Sequence, residues 1–550
     1  MKILVTEAIS ETGISLLKAE HEVDVRKVTP EELLEIIPEY DAIITRSETK
    51  VTAEVLARGT RLKVVGRAGV GVDNVDVAAA TERGVVVVNV PGANTYSTAE
   101  HAFGLLIAVA RNIPQAHHAL TREGRWDRKT YVGTELNGKT LGIIGLGRIG
   151  SEVAVRAKAF GMKVLAYDPY VPSSRAEHLG VAMVPTIREL LPEVDFLTIH
   201  AAKTPESARL IGAAELALMK PTARIVNCAR GGMVDEQALY EALKEGRLAG
   251  AALDVFATEP CTDSPLYSLP NVVVTPHLSA STTEAQDANG RYIAQYVLRV
   301  LRGELVPEAV NLPQVPRDAA QIVTDHLPLA ETLGAFLAQA FPGQAERITV
   351  SYSGELAKHP TALLTNTVLK GFLATQLGDH VNYINSPALA RRRGLTVNES
   401  KSLTHAPLAE NGNGERLAAA VGTLSPSASL ITVRSEGPQG AHEVTGMLRR
   451  DGGMRFVAVD GMHIDMAPTR HMLVSLHRDQ PGMVGRFGMA LAARDINIAG
   501  LHLGRREPRG EALMLLQIDE PAPPDLVAEL RESIAVATVQ AVTLPLGGRG

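Results

Sequence analysis

Between Leu141 and Asp168 the chain reads LGIIGLGRIGSEVAVRAKAFGMKVLAYD: an apolar run, a glycine-rich turn, a helical pattern and a second apolar run that ends in a carboxylate. Such a unit suits a dinucleotide. Gly145 allows a tight turn, Gly147 lets the backbone approach a pyrophosphate, and Gly150 permits close packing of helix on strand. The start of the helix offers unpaired N–H groups to the anion. Asp168 lies where a carboxylate would accept hydrogen bonds from the ribose hydroxyls, and its charge opposes a 2′-phosphate, so NAD is expected in preference to NADP.

Three more polar residues stand where apolar runs end: Arg230 in NCARGG, Glu259 in DVFATEP and His277 in VTPHLSA. In a parallel sheet the carboxyl ends of the strands face the ligand crevice. Removing a hydride from a hydroxy acid requires a base for the hydroxyl proton, a cation for the carboxylate or carbonyl, and a group that orients the base. His277, Arg230 and Glu259 match those needs in that order. Arg230 has the fork to bind a carboxylate through two hydrogen bonds, and a carboxylate beside His277 would fix its tautomer. Taken singly, each is equally a capping arginine, a surface glutamate or a histidine near a turn. Their succession after a dinucleotide unit is what points to dehydrogenation.

The elements that must position these groups are legible in the patterning. The first hundred residues alternate short β-branched runs (KILVTEA, HEVDVR, DAIITRS, LKVVGRAG, GVVVVNVP) with helical stretches such as Ala53 to Arg58, the signature of a parallel α/β sheet. Ser97 to Arg111 predicts a helix, started by a capping Ser or Thr, that links this sheet to the nucleotide unit. Runs at Asp195 to His200, Arg224 to Cys228, Ala249 to Val255 and Asn271 to Thr275 extend the second sheet to about His277. A helix over Thr282 to Arg302 would cross back to the first unit, leaving a cleft between the two. Prolines from Pro307 to Pro316 predict a linker. Residues 347 to 465 mix strands (ITVSYSG, LITVRSE, MRFVAVD) with a helix near Leu363 to Leu377 and a flexible loop at Asn411 to Gly414, without a catalytic constellation. From His471 the order strand, helix, strand, strand, helix, strand is that of a ferredoxin-like unit, with Asp479, Pro481 and Gly482 in its first turn.

A chain of 550 residues requires several domains. With 55 Lys and Arg against 61 Asp and Glu, a net charge of −6 and no long basic run, nucleic acid is not an expected partner. The N-terminal apolar run is broken too early by Thr6 and Glu7 for a signal peptide, and no apolar stretch is of membrane-spanning length, so a soluble, cytoplasmic protein is expected. Cys228 and Cys261 are the two cysteines. They cannot form a disulfide framework, and no Cys/His cluster has zinc-ligand spacing, so no structural metal is expected.

GRAGVGVDNVD (Gly66 to Asp76), TELNGKTLGIIGLGRIG (Thr134 to Gly150), NCARGGMVDE (Asn227 to Glu236), ALDVFATEP (Ala252 to Pro260) and TPHLSAST (Thr275 to Thr282) resemble, in order and spacing, the signatures of the D-isomer-specific 2-hydroxyacid dehydrogenases. The resemblance extends over essentially the whole chain. It implies catalytic roles for Arg230, Glu259 and His277. It also implies cofactor contacts from Val70, Arg148, Ile149, Asp168, Ala201, Cys228, Ala229, Arg230, Asp254, His277 and Ala280, with Asp254 holding the nicotinamide carboxamide. Ser279 stands where the family usually has glycine. Arg46 matches the arginine that binds the substrate's phosphate or carboxylate, Asn94 lies nearby in the cleft, and Lys50 and Arg128 are further cations.

By the same resemblance, the fold is α/β: two Rossmann-like or flavodoxin-like parallel-sheet domains, then an α+β intervening domain and a ferredoxin-like ACT domain. The implied division is 1–97, completed by 283–312, for substrate; 98–282 for NAD; 313–466 for an intervening allosteric-substrate-binding domain; and 467–550 for an ACT domain. Asp479 and Asn497 take the positions that bind L-serine across an ACT dimer interface, and His477 stands where some relatives have Tyr. The implied activity is NAD-dependent oxidation of 3-phospho-D-glycerate to 3-phosphohydroxypyruvate, the first step of L-serine biosynthesis, by a homo-oligomer (dimer or tetramer) with L-serine as effector. A glyoxylate or hydroxypyruvate reductase would end after the two catalytic domains. An NAD-sensing corepressor would carry a disordered tail in place of folded modules.

Overall fold

Four-residue apolar strands, too short to stand alone, are stabilised by pairing in a parallel sheet with helices against them. In the computed structural model, which describes residues 1–204, 207–378, 380–403, 429–449, 451–533 and 536–546, the first sheet runs in the order Glu22–Val25, Lys2–Val5, Ala42–Thr45, Val64–Arg67, Val86–Asn89, all parallel. Its helices begin at side-chain caps from Ser10, Thr29, Thr52 and Asp76, each accepting from a backbone N–H of the first turn. The helix Thr283–Leu301 returns to this sheet and buries Ile293, Ala294 and Val297 in its core.

The second sheet has seven parallel strands in the order Val272–Val274, Gly250–Leu253, Arg224–Asn227, Phe196–Ile199, Thr140–Ile144, Lys163–Tyr167, Ala182–Met183. The order reverses between Thr140–Ile144 and Phe196–Ile199. That reversal opens a crevice at the carboxyl ends of the strands.

Two expectations change here. The helix linking the sheets spans Thr95–Arg111, not Ser97 onward, and no side chain caps its start at Asn94. Ser97 instead shares a hydrogen bond with Thr282 at 2.7 Å. The proline-rich stretch is also not a free linker in its first half. Val310 N–H donates to Val87 O, and the Asn311 side chain accepts from Val87 N–H at 2.9 Å and donates to Val85 O at 2.9 Å, so this segment lies along the edge of the first sheet.

The third sheet is mixed, in the order Thr396–Ser402, Arg347–Ser353, Leu430–Gly437, Gly440–Leu448, Met454–Val459, Met462–Met466, with the first pair parallel. The helices Arg317–Ala340 and Ala362–Leu377 pack on it. The expected loop at Asn411 to Gly414 lies outside the described residues. The fourth sheet is antiparallel, in the order Ile498–Arg505, Glu511–Ile518, His471–Arg478, Val536–Thr543, with Met483–Ala492 and Pro524–Ser533 as its helices, the ferredoxin-like arrangement.

The last two units share one apolar core. Met472, Val474, Leu513, Leu515 and Val542 cluster with Phe336, Leu337 and Phe456, and the Gln339 amide pairs with both backbone groups of Thr543. The third unit also grips the first: Ile384 is buried in the first sheet's core, and Asn382 donates to Gly84 O at 2.8 Å. No helix among the described residues is long and apolar enough to cross a membrane.

Candidate active site

Gly145 turns the chain at φ 92° against the backbone of His200 and Ala201, where an added Cβ would come within 2.8 Å of both. A Cβ on Gly150 would lie 2.0 Å from Gly145 O, so the helix Arg148–Ala159 sits directly on the turn. Its first N–H groups have no side-chain cap, and a Cβ on Gly147 would meet open space. This is an anion cradle of the kind a pyrophosphate occupies. Asp168 Oδ2 accepts from Leu146 N–H at 2.8 Å and Oδ1 from Tyr170 and Val171 N–H, which fixes the carboxylate beside the glycine turn at the end of its strand.

Beyond that turn a cavity of about 420 Å³ is lined by Val70, Asn94, Arg148, Ile149, Ala201, Cys228, Ala229, Arg230, His277 and Ala280 among others, which brings together most of the residues expected around the cofactor and substrate. Asn94 Oδ1 is buried there with no protein partner. A turn, an uncapped helix start, a fixed carboxylate and a cavity with an unpaired acceptor together fit a bound dinucleotide and a polar substrate.

The catalytic candidates meet as expected. His277 Nδ1 lies 2.7 Å from Glu259 Oε2, while Glu259 Oε1 accepts from Phe256 N–H at 3.0 Å. The carboxylate is thereby clamped, and with Nδ1 engaged the Nε2 is the ring nitrogen left for another partner. Arg230 is held by Asp73 Oδ2 at 3.2 Å and Ala229 O at 2.8 Å. Its loop is tied down by Asn227, which is buried, donates to Arg230 O and accepts from Ala229 N–H. A Cβ on Gly231 would lie 1.7 Å from Phe256 O. That contact presses the Arg230 loop against the segment carrying Glu259.

Four expected contacts fall elsewhere. Asp254 does not line the cavity; it is 0% exposed and lies behind it. Its carboxylate accepts from His101 Nε2, Thr275 Oγ1, Leu278 N–H, and the N–H and hydroxyl of Ser279. Burial pushes this acid up, and those hydrogen bonds, His101's foremost, outweigh it and hold the group down to about 2. Direct contact with a carboxamide is therefore not what this geometry offers. Arg46 also lies outside the lining, its guanidinium donating to Ala8 O at 3.4 Å. Lys50 and Arg128 are exposed and outside it. Ser279, at the usual glycine position, uses its hydroxyl on Asp254.

The expected list lacked several residues of the site. Arg67, outside the lining but near Arg230, is lowered to about 10, first by burial and then by repulsion from Arg230, and its Nε has no partner. Its signal was its place at a strand's carboxyl end in GRAG. His200, half-buried at the switch point where it lines the cavity, is pushed down to about 4 by the loss of hydration alone. Lys203 and Asp73 also line the cavity. The Cys228 thiol is pushed far up by burial and by the Asp254 charge, so it stays protonated and inert as a nucleophile.

Asp479 and Asn497 do not meet within one chain. Asp479 accepts from Arg505 Nη1 at 2.9 Å and Arg509 N–H at 3.1 Å, and does not cap the helix that follows. Asn497 donates to Asp519 at 2.8 Å. The two groups thus sit at opposite ends of the strand Ile498–Arg505, about 25 Å apart at the usual strand rise. His477 is buried beside Ser475.

Comparison with known proteins agrees with the architecture. Residues 103–279 match the NAD binding domain of D-isomer specific 2-hydroxyacid dehydrogenases, 322–410 the D-3-phosphoglycerate dehydrogenase intervening domain, and 471–535 the ACT domain. The D-3-phosphoglycerate dehydrogenase of Methanocaldococcus jannaschii is 44% identical over 545 residues, covering 99% of this chain and 100% of the relative. That of Bacillus subtilis is 38% identical, covering 99% and 100%. The crystal structure of a protein from Thermus thermophilus superposes with a TM-score of 0.53 at 38% identity, covering 56% of this chain and 100% of that one. A glyoxylate reductase from Paecilomyes thermophila gives 0.53 at 31% identity, covering 56% and 98%. With catalytic, intervening and ACT units matched in order and relatives aligned from end to end, the chain belongs to the D-3-phosphoglycerate dehydrogenases, NAD-dependent oxidoreductases of the D-isomer-specific 2-hydroxyacid dehydrogenase family.

Proposed function

We propose that this enzyme oxidises C2 of 3-phospho-D-glycerate to give 3-phosphohydroxypyruvate, the entry step of L-serine biosynthesis. The observation that carries the reading is the His277–Glu259 pair at 2.7 Å facing Arg230 across one cavity. His277 Nε2 takes the C2 hydroxyl proton, and Glu259 on Nδ1 orients the ring and stabilises the imidazolium that forms. Arg230 binds the substrate carboxylate and draws charge from the developing carbonyl. NAD, when bound, supplies the hydride acceptor. Gly145, Gly147, Gly150, Arg148, Ile149 and Asp168 would hold its pyrophosphate and ribose. Val70, Ala201, Cys228, Ala229 and Ala280 would enclose the nicotinamide end. Asn94, whose unpaired oxygen can accept from a substrate hydroxyl, and the neighbouring cations Arg67, Arg230 and Arg46 support recognition of a hydroxylated, doubly anionic substrate.

The reading includes a division into a substrate-binding unit (1–97 with 283–312), an NAD-binding unit (98–282), an intervening unit (313–466) and an ACT unit (467–550). It also includes a cytoplasmic homo-oligomer. Inhibition by L-serine belongs to the same proposal. Because Asp479 and Asn497 lie at opposite ends of one strand, the effector would need Asp479 from one copy and Asn497 from another. A glyoxylate reductase is disfavoured because the chain aligns from end to end with the M. jannaschii relative but over 56% of its length with the reductase. Steady-state rates with purified protein on 3-phosphoglycerate, D-lactate and, in reverse, glyoxylate test the reading. A kcat/KM for the phosphorylated acid about a hundredfold or more above the others is expected, since a lost charge-assisted contact costs several kcal/mol in a desolvated site. Equal or higher efficiency on glyoxylate would overturn it.

A further inference from the structure

His277 holds its backbone at φ 55°, a left-handed conformation that a non-glycine residue adopts only when its surroundings enforce it. Asp254 is the enforcing group. Its backbone carbonyl accepts from His277 N–H at 2.9 Å, and its carboxylate accepts from Leu278 N–H at 2.7 Å and Ser279 N–H at 3.0 Å, so one buried residue grips three successive amides of the loop that carries the base. A carboxylate can rotate about its own axis, and this one is fixed from its far side. His101 Nε2 lies 3.2 Å from Asp254 Oδ1 and 3.1 Å from Thr275 Oγ1, while the Thr275 hydroxyl gives its single proton to Asp254 at 2.6 Å. With that proton committed, Nε2 must carry a hydrogen and donate it to both oxygens.

His101 belongs to the helix Thr95–Arg111, which bridges the two sheets. One face of that helix meets the loop repeatedly: Ser97 bonds Thr282 at 2.7 Å, Thr98 reaches Ser279 O at 3.4 Å, and His101 takes Asp254 and Thr275. His101 lies four residues beyond Ser97 and three beyond Thr98, so it is a helix-surface neighbour of both.

We propose that His101 is a positioning residue for the dehydrogenation: it locks the Asp254 carboxylate that holds the loop 275–279, and through it sets the distance from the His277 imidazole to the C2 hydroxyl. The helix between the two sheets is then mechanically coupled to the base. The inference rests on the reading of His277 as that base. A displacement of about 1 Å in such a group costs up to about a hundredfold in turnover.

The test uses the full-length enzyme in three variants: His101→Leu, His101→Gln, whose amide N–H falls close to the position of Nε2–H, and His277→Ala. In His101→Leu, kcat is expected to fall about ten- to a hundredfold. KM for 3-phosphoglycerate and the NAD dissociation constant, from fluorescence titration, should stay within about twofold. His101→Gln should recover most of the loss. The inference is overturned by near-wild-type kcat in His101→Leu, by a loss that His101→Gln does not recover, or by joint loss of turnover and NAD affinity. An active His277→Ala would remove the underlying reading. An inactive His277→Ala beside a fully active His101→Leu would refute this inference alone.

Discussion

His200 shows how one side chain can carry a pH dependence for the whole fold. Its ring is half-buried, its Nδ1 is shut from water without a partner, and desolvation lowers it to about 4, against about 6.5 when unfolded. A base with a depressed folded pKa contributes stability that is complete above the unfolded value and is lost as pH falls toward the folded one. Asp254, held at about 2 against about 3.9 unfolded, adds a second loss below about pH 4. The thermal midpoint should therefore fall steadily from pH 6.5 to 4, by up to about 3 kcal/mol of stability, and His200→Gln should flatten that stretch. A flat wild-type profile there would contradict the account. At this scale the sequence was readable where polar residues close apolar runs: Arg230 and His277 line one cavity, and Glu259 pairs with His277 behind it. It was misleading for Asp254, because an acid closing the run ALDV looks the same whether it faces a ligand or grips a loop. His101 gave no signal, since a histidine inside a helical pattern acquires meaning only from what packs across from it.

The elements place the proposed catalytic groups through backbone contacts that side-chain patterns do not encode. Loop 229–232 and loop 255–259 touch at Gly231, where a methyl group would press into Phe256 O. Gly231→Ala should separate Arg230 from Glu259, costing about 1–3 kcal/mol of stability by overpacking and lowering kcat by more than it raises KM. Calorimetry with steady-state kinetics checks this, and a variant of unchanged midpoint and unchanged kcat would contradict it. The parallel strands were legible because β-branched runs between glycines have few alternatives. The helix Arg317–Ala340 was not, because it follows directly on Pro316 and contains Pro328, and both read as punctuation. The helix Thr95–Arg111 starts early for a related reason. Its first turn lacks a capping side chain and faces the cavity, so the usual start signal is absent where a ligand site needs open N–H groups.

Across the whole molecule, the intervening and ACT units are continuous with the dehydrogenase half. The ACT sheet shares a core with the intervening unit, and that unit inserts Ile384 into the core of the first sheet and clips Gly84 with Asn382. A ligand at the last sheet can shift catalysis only by binding two arrangements of this chain of contacts unequally. Asp479→Ala should abolish inhibition by L-serine while leaving uninhibited kcat within about twofold, because Asp479 pairs with Arg505 and Arg509 and is not part of the cavity lining. Unaltered inhibition in that variant would remove Asp479 from the effector site. The order of domains was legible from element patterning; their shared core was not, since apolar faces do not announce which sheet will cover them. The central claim is that hydride leaves C2 of 3-phosphoglycerate for NAD while His277 takes the hydroxyl proton. Substrate deuterated at C2, turned over by the purified enzyme with NAD and followed by mass spectrometry of the reduced cofactor, tests it most directly. The account predicts one deuterium in each reduced nicotinamide and a slower wild-type rate; reduced cofactor free of deuterium would contradict it.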